Sequence, residues 1–139
     1  LLDCYDVDLA GRNVAVLGRS LVIGKPVSLL LTARDATVTL CHSRTADLKA
    51  VTRRADIIVS AMGRSEMINA EYVSADQTVI DVGINWSEKK NRLCGDVLFE
   101  EVEPIVGSIT PVPGGVGALT NAILIEHVVR AAERKLIVK

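Results

Sequence analysis

The fold prediction rests on residues 17–26, which read LGRSLVIGKP. This stretch follows the apolar run 14–17 and precedes the apolar run 27–31, so we expect a strand before it and a helix after it. Gly18 and Gly24 frame the connection. A glycine-bearing turn that opens a helix is typical of phosphate binding, because the free N–H groups and the positive end of the helix face the anion.

As a bare motif this turn is weak. The dinucleotide fingerprint G-x-G-x-x-G requires a middle glycine, and Ser20 stands in its place. The Walker A motif requires four residues between its glycines and then Lys-Ser or Lys-Thr, whereas five residues and Lys25-Pro26 are found here. Phosphoryl transfer is therefore disfavoured. A plain strand-to-helix turn remains the alternative to a cofactor turn.

The rest of the chain repeats the same alternation of short apolar runs and helical patterns, without internal repeats or a charged linker. Strands are predicted at residues 14–17, 37–41, 57–61, 78–82 and 107–110. Helices are predicted at residues 23–33, from an N-cap at Thr45 to about 54, from 69, at 99–102 and at 119–135, with a hairpin-like connection at 85–91. Segment 111–117, PVPGGVG, is too rich in Pro and Gly for either element. Right-handed crossovers then give an α/β, Rossmann-like, doubly wound, mostly parallel sheet with helices on both faces, as one domain over residues 1–139.

Composition excludes several classes of protein. With 139 residues, 49% apolar, 24% charged and a net charge of -1, the chain is neither disordered nor a nucleic-acid binder. No apolar run reaches the roughly 20 residues of a membrane span, so no membrane partner is expected. Cys4, Cys41 and Cys94 fit neither a disulfide framework nor a metal site, which favours a cytoplasmic setting. Because the chain begins with Leu1, we expect a fragment or a processed piece.

The end of the second predicted strand indicates which cofactor is used. An NAD-binding domain usually carries Asp or Glu about 20 residues after its first glycine, to bind the ribose. This chain has His42-Ser43-Arg44-Thr45 there instead. The Ser43 hydroxyl, with the guanidinium groups of Arg44 and Arg19, would bind a 2′-phosphate, so NADP is favoured over NAD. The alternative is that Arg44 is a solvated surface residue and Ser43 a turn former.

The remaining polar residues give no catalytic assignment. His42 and His127 are more typical of packing or hydrogen-bonding residues than of proton-transfer groups. Asp81 ends the fourth predicted strand, where it either approaches a ligand or caps a turn. The backbone around Ile84 leaves the same strand toward the expected cleft and could meet the nicotinamide, or could form a simple turn.

Taken together, GRSLVIGKP, CHSRT, VIDVGIN, GDV and ITPVPGGVG resemble the C-terminal, NADP-binding domain of the bifunctional methylenetetrahydrofolate dehydrogenase/methenyltetrahydrofolate cyclohydrolase (FolD) family. The resemblance covers nearly the whole chain. It departs at Ala118, where the family usually has Pro, and the family's N-terminal catalytic domain has no counterpart here. When the family's site residues are carried over to this chain, the resemblance implies cofactor contacts by Gly18, Arg19, Ser20, Ser43 and Ile84. It also implies folate-side contacts by Pro113, Gly114 and Gly115.

The resemblance also implies a function. The whole enzyme would oxidise 5,10-methylenetetrahydrofolate with NADP and hydrolyse the methenyl product to 10-formyltetrahydrofolate, in one-carbon metabolism and purine biosynthesis. It would be a cytoplasmic homodimer. Its N-terminal domain, which has no counterpart in this chain, would supply the catalytic residues and most of the tetrahydrofolate site. The chain alone is expected to bind NADP without turnover. A standalone nucleotide-sensing or partner-binding module, or another NADP-linked enzyme such as a shikimate-type dehydrogenase, is the alternative.

Overall fold

The computed structural model describes residues 1–137 and contains a central parallel sheet. Its strands are β1 (Asn13–Leu17), β2 (Thr37–Cys41), β3 (Ile57–Ser60), β4 (Thr78–Asp81) and β7 (Ser108–Ile109). They lie in the order β2-β1-β3-β4-β7, and every pair is parallel. The antiparallel hairpin of β5 (Asn85–Ser87) and β6 (Arg92–Cys94) forms a separate two-stranded sheet.

The helices connect these strands. They are α1 (Gly24–Thr32), α2 (Leu48–Arg54), α3 (Phe99–Val102) and α4 (Val116–Ile137), with short 3₁₀ turns at Asp3–Tyr5 and Ala70–Tyr72. In the described part of the chain, residues 1–137, no helix combines the length and the apolar character needed to cross a bilayer.

The core has two layers because the sheet is covered on both faces. Successive side chains of a strand point to opposite faces. Ala15 and Leu17 accordingly pack in one cluster with Ile58 and Val79, whereas Val14 and Val16 pack in the other with Ile57 and Val59. Continuous apolar runs are the pattern expected of such doubly covered parallel strands. The predicted α/β, Rossmann-like fold is confirmed.

Two predicted helix starts are wrong. Thr45 does not cap α2, because its Oγ1 accepts a hydrogen bond from the His42 N–H at 2.8 Å. Asp47 is the cap instead, with φ of 45° and a carboxylate that accepts from the Ala50 N–H at 3.1 Å. Helix α4 begins at Val116 and not at 119, so the last two residues of segment 111–117 are helical.

Candidate functional site

The strand order creates a crevice at the carboxyl edge of the sheet. From β1 the chain moves outward to β2 and then returns across β1 to form β3, so the loops after β1 and β3 diverge. Ligands of doubly wound sheets bind at such a switch point. A cleft of about 450 Å³ lies there, and its walls are the segments that follow β1, β2 and β3. Its lining includes Gly18, Arg19, Ser20, His42, Ser43, Thr45, Ala61, Met62 and Arg64.

The two glycines of the first turn allow very close backbone packing. Gly18 has φ of 111°, and a Cβ built on it would lie 2.2 Å from the carbonyl oxygen of Ala61. A Cβ built on Gly24 would lie 1.9 Å from the carbonyl oxygen of Gly18. Gly18 thus allows the end of β1 to pack directly against the loop after β3. Gly24 allows the start of α1 to pack directly against the turn at Gly18.

Ser20 occupies the place of the absent middle glycine and accepts hydrogen bonds at the start of α1. Its Oγ accepts hydrogen bonds from the N–H groups of Ile23 at 3.1 Å and Gly24 at 3.4 Å, and its carbonyl oxygen accepts from Lys25 N–H at 3.0 Å. The expectation that the helix N–H groups are free for a phosphate is therefore wrong. Within residues 1–137, the N–H groups without an intramolecular acceptor here are those of the preceding turn, residues 19–22.

The loop after β2 forms the opposite wall of the cleft. Ser43 is exposed there, while His42 is tied locally because its Nδ1 accepts from the Arg44 N–H at 3.1 Å. Arg44 is exposed and lies outside the set of residues that line the cleft. No carboxylate occurs among the described lining residues. Hydroxyl, guanidinium and unbonded N–H groups are the donors that a phosphorylated ligand requires.

The other predicted site residues lie apart from this cleft. The Ile84 side chain is 65% exposed, and a Cβ built on Gly117 at the start of α4 would lie 3.9 Å from its Cδ1. Gly114 and Gly115 line a different groove of about 470 Å³, between the first residues of the chain and strands β4 and β7. Pro113 is exposed beside it. The structure thus brings Gly18, Arg19, Ser20 and Ser43 together and leaves Ile84, Pro113 and Gly114 elsewhere.

Two buried carboxylates lie apart from the cleft, Asp81, for which a ligand contact or a turn cap was expected, and Asp96, for which no role was expected. Asp81, at the end of β4, accepts hydrogen bonds from the N–H groups of Gly83 at 2.9 Å, Asp96 at 3.1 Å and Val97 at 2.9 Å. Burial raises the pKa of Asp81 above its usual value of 3.8. The backbone donors lower this pKa, and the nearby Asp96 charge raises it, so the net shift is upward. Asp81 therefore joins the loop after β4 to the residues that follow β6 of the hairpin.

Asp96 is the second carboxylate, and its residue has no exposed surface. Its oxygens accept from the Ser60 hydroxyl at 3.1 Å and the Asn85 side-chain amide at 2.9 Å. They also accept from the N–H groups of Met62 at 2.6 Å, Gly63 at 3.3 Å and Arg64 at 2.8 Å. The signal in the sequence was a charge within the apolar stretch around Val97, next to Gly95.

Comparison with known proteins agrees with this geometry. Residues 1–136 match the family described as tetrahydrofolate dehydrogenase/cyclohydrolase, NAD(P)-binding domain. The chain is 52% identical over 134 residues to the bifunctional protein FolD of Clostridium botulinum, covering 96% of this chain and 47% of that protein.

Two solved structures are similar as well. The bifunctional enzyme FolD of Campylobacter jejuni matches with a TM-score of 0.92 and 41% identity, over 96% of this chain and 47% of that one. The Trypanosoma brucei FolD, solved with NADP cofactor and inhibitor, matches with a TM-score of 0.88 and 38% identity, over 97% and 48%. This chain spans about half the length of these relatives. It belongs to the tetrahydrofolate dehydrogenase/cyclohydrolase NAD(P)-binding domain family.

Proposed function

We propose that the chain is the NADP-binding half of an enzyme that oxidises 5,10-methylenetetrahydrofolate to the methenyl cation and hydrolyses that cation to 10-formyltetrahydrofolate. The observation that carries the proposal is the cleft at the switch point, which joins an exposed guanidinium and hydroxyl to unbonded turn N–H groups and has no carboxylate among its described lining residues. FolD relatives that are named for these two activities support the choice of reaction.

The turn after β1 suits the pyrophosphate of the cofactor. The N–H groups of residues 19–22 are the donors that remain after Ser20 has bound those at the start of α1, and Arg19 adds a positive charge beside them. Peptide N–H groups in a turn before a helix form a concave anion site. We assign the pyrophosphate to this turn.

The loop after β2 suits the 2′-phosphate. Ser43 lines the cleft next to His42, and the exposed Arg44 follows it in the chain. A carboxylate at this position would bind a free ribose hydroxyl and repel a phosphate. We therefore assign NADP as the cofactor, held at this end by Ser43 together with Arg19 and Arg44.

The bound nicotinamide would accept the hydride that leaves the one-carbon bridge of the folate. This chain would contribute orientation, because holding two reactants in register is itself a large part of a rate enhancement. Ile84 lies beyond β4, and Pro113 and Gly114 lie beyond β7, so they would border the nicotinamide and the folate. We assign no catalytic residue to the chain.

Exposed apolar side chains suit a chain that is covered by other parts of the whole protein. On α4, Ile123, Leu124, Ile125 and Val128 are 42–66% exposed, and on α1 Leu29 and Leu30 are 73% and 67% exposed. Contiguous exposed apolar surface marks an interface. We propose that a folate-binding half and a second copy cover these faces, in a cytoplasmic homodimer of which residues 1–139 form one domain.

Calorimetric titration with NADP⁺ and NAD⁺ tests the cofactor assignment. We expect tighter binding of NADP⁺, and the variants Arg19→Ala and Ser43→Ala should each lose about tenfold in NADP⁺ affinity, as expected for one charge-assisted hydrogen bond. NAD⁺ affinity should change much less in Ser43→Ala, because NAD⁺ has no 2′-phosphate. Arg134→Ala, an exposed charge on α4, is the control. Equal affinity for both nucleotides, or equal losses for both in Ser43→Ala, would contradict the assignment.

A further inference from the structure

Asp96 joins its own segment to two others that are distant from it in sequence, residues 60–64 and Asn85. Its carboxylate binds the Ser60 hydroxyl at the end of β3, three successive N–H groups of the loop 62–64, and the side-chain amide of Asn85 after β4. Successive N–H groups that converge in this way form an anion nest. In this molecule the anion in the nest is the protein's own carboxylate.

The loop held by Asp96 is a wall of the cofactor cleft. Ala61, Met62 and Arg64 all line that cleft, and the donors to Asp96 include the N–H groups of the last two. Asn85 directly follows Ile84, which is proposed to border the nicotinamide. Asp96 itself does not line the cleft and has no exposed surface, so it acts on the cleft through these segments.

The Asp96 carboxylate packs closely against the backbone of the loop after β4. A Cβ built on Gly83 would lie 2.4 Å from Asp96 Oδ1, in the space that the carboxylate fills. Gly83 also donates its N–H to Asp81, which in turn accepts from the Asp96 N–H. The backbone N–H and the carboxylate of Asp96 are therefore both hydrogen-bonded, and the bonds to the carboxylate tie the loop 62–64 to this position.

We propose that Asp96 is a positioning residue for the cofactor, which holds the loop 62–64 and the segment at Ile84 in their binding positions. This inference rests on the proposed function. The adenosine end of the cofactor is assigned to Ser43 on the β2 side of the switch point, so the rest of the dinucleotide passes the β3 and β4 side, where Asp96 holds the walls. Loss of Asp96 should thus weaken binding of the whole dinucleotide more than binding of its adenosine end.

The test compares NADP⁺ with adenosine 2′,5′-bisphosphate, which carries only the adenosine end. In Asp96→Asn, an NH₂ group replaces one acceptor and faces N–H donors. We expect the Kd of NADP⁺ to rise about tenfold or more and the Kd of the bisphosphate to change less than about threefold. Amide exchange at residues 62–64 should become faster than in the wild type at the same folded fraction.

Gln77→Met is the matched control. Gln77 is also buried and hydrogen-bonded, because its Nε2 donates to the carbonyl oxygens of Thr52 at 2.8 Å and Ala55 at 2.6 Å, but it precedes β4 at the opposite edge of the sheet. This variant should lower the melting temperature while leaving both dissociation constants and the exchange of residues 62–64 unchanged.

Each outcome has a separate meaning. Equal losses for both ligands in Asp96→Asn, or an unchanged Kd for NADP⁺, would overturn the role of Asp96 while leaving the proposed function standing. A wild-type chain that binds neither ligand would overturn the proposed function and this role with it. If Asp96→Asn does not fold, Asn85→Ala removes one donor and keeps the other four, and the same contrast between the ligands is expected at about threefold. Its absence there would overturn the role.

Discussion

Gly24→Ala tests whether the close contact between α1 and the first turn sets both stability and cofactor binding. The Cβ of alanine would lie 1.9 Å from the carbonyl oxygen and 2.6 Å from the carbonyl carbon of Gly18. Ordinary contact begins at 3.4 Å, so the helix and the turn must separate by about 1.5 Å. The clashing atoms of Gly18 are backbone atoms, so a simple side-chain rotation cannot relieve the contact.

The cost follows from that displacement. Overpacking of this kind costs about 1–3 kcal/mol, and more where the backbone must shift. For a domain of this size each kcal/mol lowers Tm by roughly 4 °C, so Gly24→Ala should lose roughly 4–12 °C. The same shift moves the turn N–H groups of residues 19–22, and we expect about a tenfold weaker affinity for NADP⁺. Thermal unfolding by circular dichroism and calorimetric titration measure the two effects.

Gly117→Ala is the control with the same change of atoms. Gly117 lies in the first turn of α4, and its added Cβ would come no closer than 3.9 Å to Ile84 Cδ1, an ordinary contact. Alanine is a better helix former than glycine by up to about 1 kcal/mol, so this variant should be as stable as the wild type or more so. If Gly24→Ala unfolds within about 2 °C of the wild type, the turn is looser than the geometry states and the argument fails.

Two further substitutions test the start of α1 and the buried carboxylates. Ser20→Ala removes the acceptor for the N–H groups of Ile23 and Gly24 and should cost about 1 kcal/mol, measured by urea unfolding; an unchanged stability would show that this hydroxyl does not stabilise the start of the helix. Asp81→Asn tests the raised pKa of Asp81. Because the folded state binds that proton more tightly than the unfolded chain, this carboxyl contributes most stability at low pH, and the contribution is lost as pH rises from about 4 through the raised pKa. The free energy of unfolding of the wild type minus that of the variant should therefore fall over this window, and a difference that rises or stays flat would contradict the direction of the shift.

The sheet could be predicted because its signal is local. Strands buried on both faces require continuous apolar runs, and the runs at β1, β3 and β4 are of this kind. The cleft followed from the fold, since parallel strands place the loops after β1 and β2 at one edge. Ser43 and Arg19 were identifiable from residue type and from their distance after a strand.

The cap of α2 could not be settled by the same means. Thr45 and Asp47 are both favourable N-cap residues, and which one serves depends on where the preceding loop needs a hydrogen bond. Thr45 is used by His42 inside that loop, which leaves Asp47 to begin the helix. At α4 the Pro and Gly content of segment 111–117 suggested a longer loop than exists, because a glycine is tolerated in the first helical turn when the following residues are good helix formers.

The carboxylate pair was missed because its partners are distant in sequence. Asp96 and Ser60 are 36 positions apart, and the Asp96 N–H and Asp81 are 15 apart, so no local pattern reports either contact. Each aspartate was visible as a charge in an apolar stretch, and Asp81 also as a candidate turn cap or ligand contact at a strand end. That observation alone predicts a buried and paired carboxylate, without the identity of its partners.

The space around this pair shows why the segments VIDVGIN and GDV act as one structural unit. A Cβ on Gly95 would lie 1.8 Å from Asp81 Oδ2, and a Cβ on Gly83 would lie 2.4 Å from Asp96 Oδ1. Each segment thus supplies the carboxylate that the other must leave room for, and neither glycine can be exchanged without displacing a buried charge from its donors. The two aspartates consequently hold the loop 62–64, the loop after β4 and the residues after β6 in place. The neighbouring Ile84 is different, since it is 65% exposed and no bond of the carboxylate network depends on its side chain.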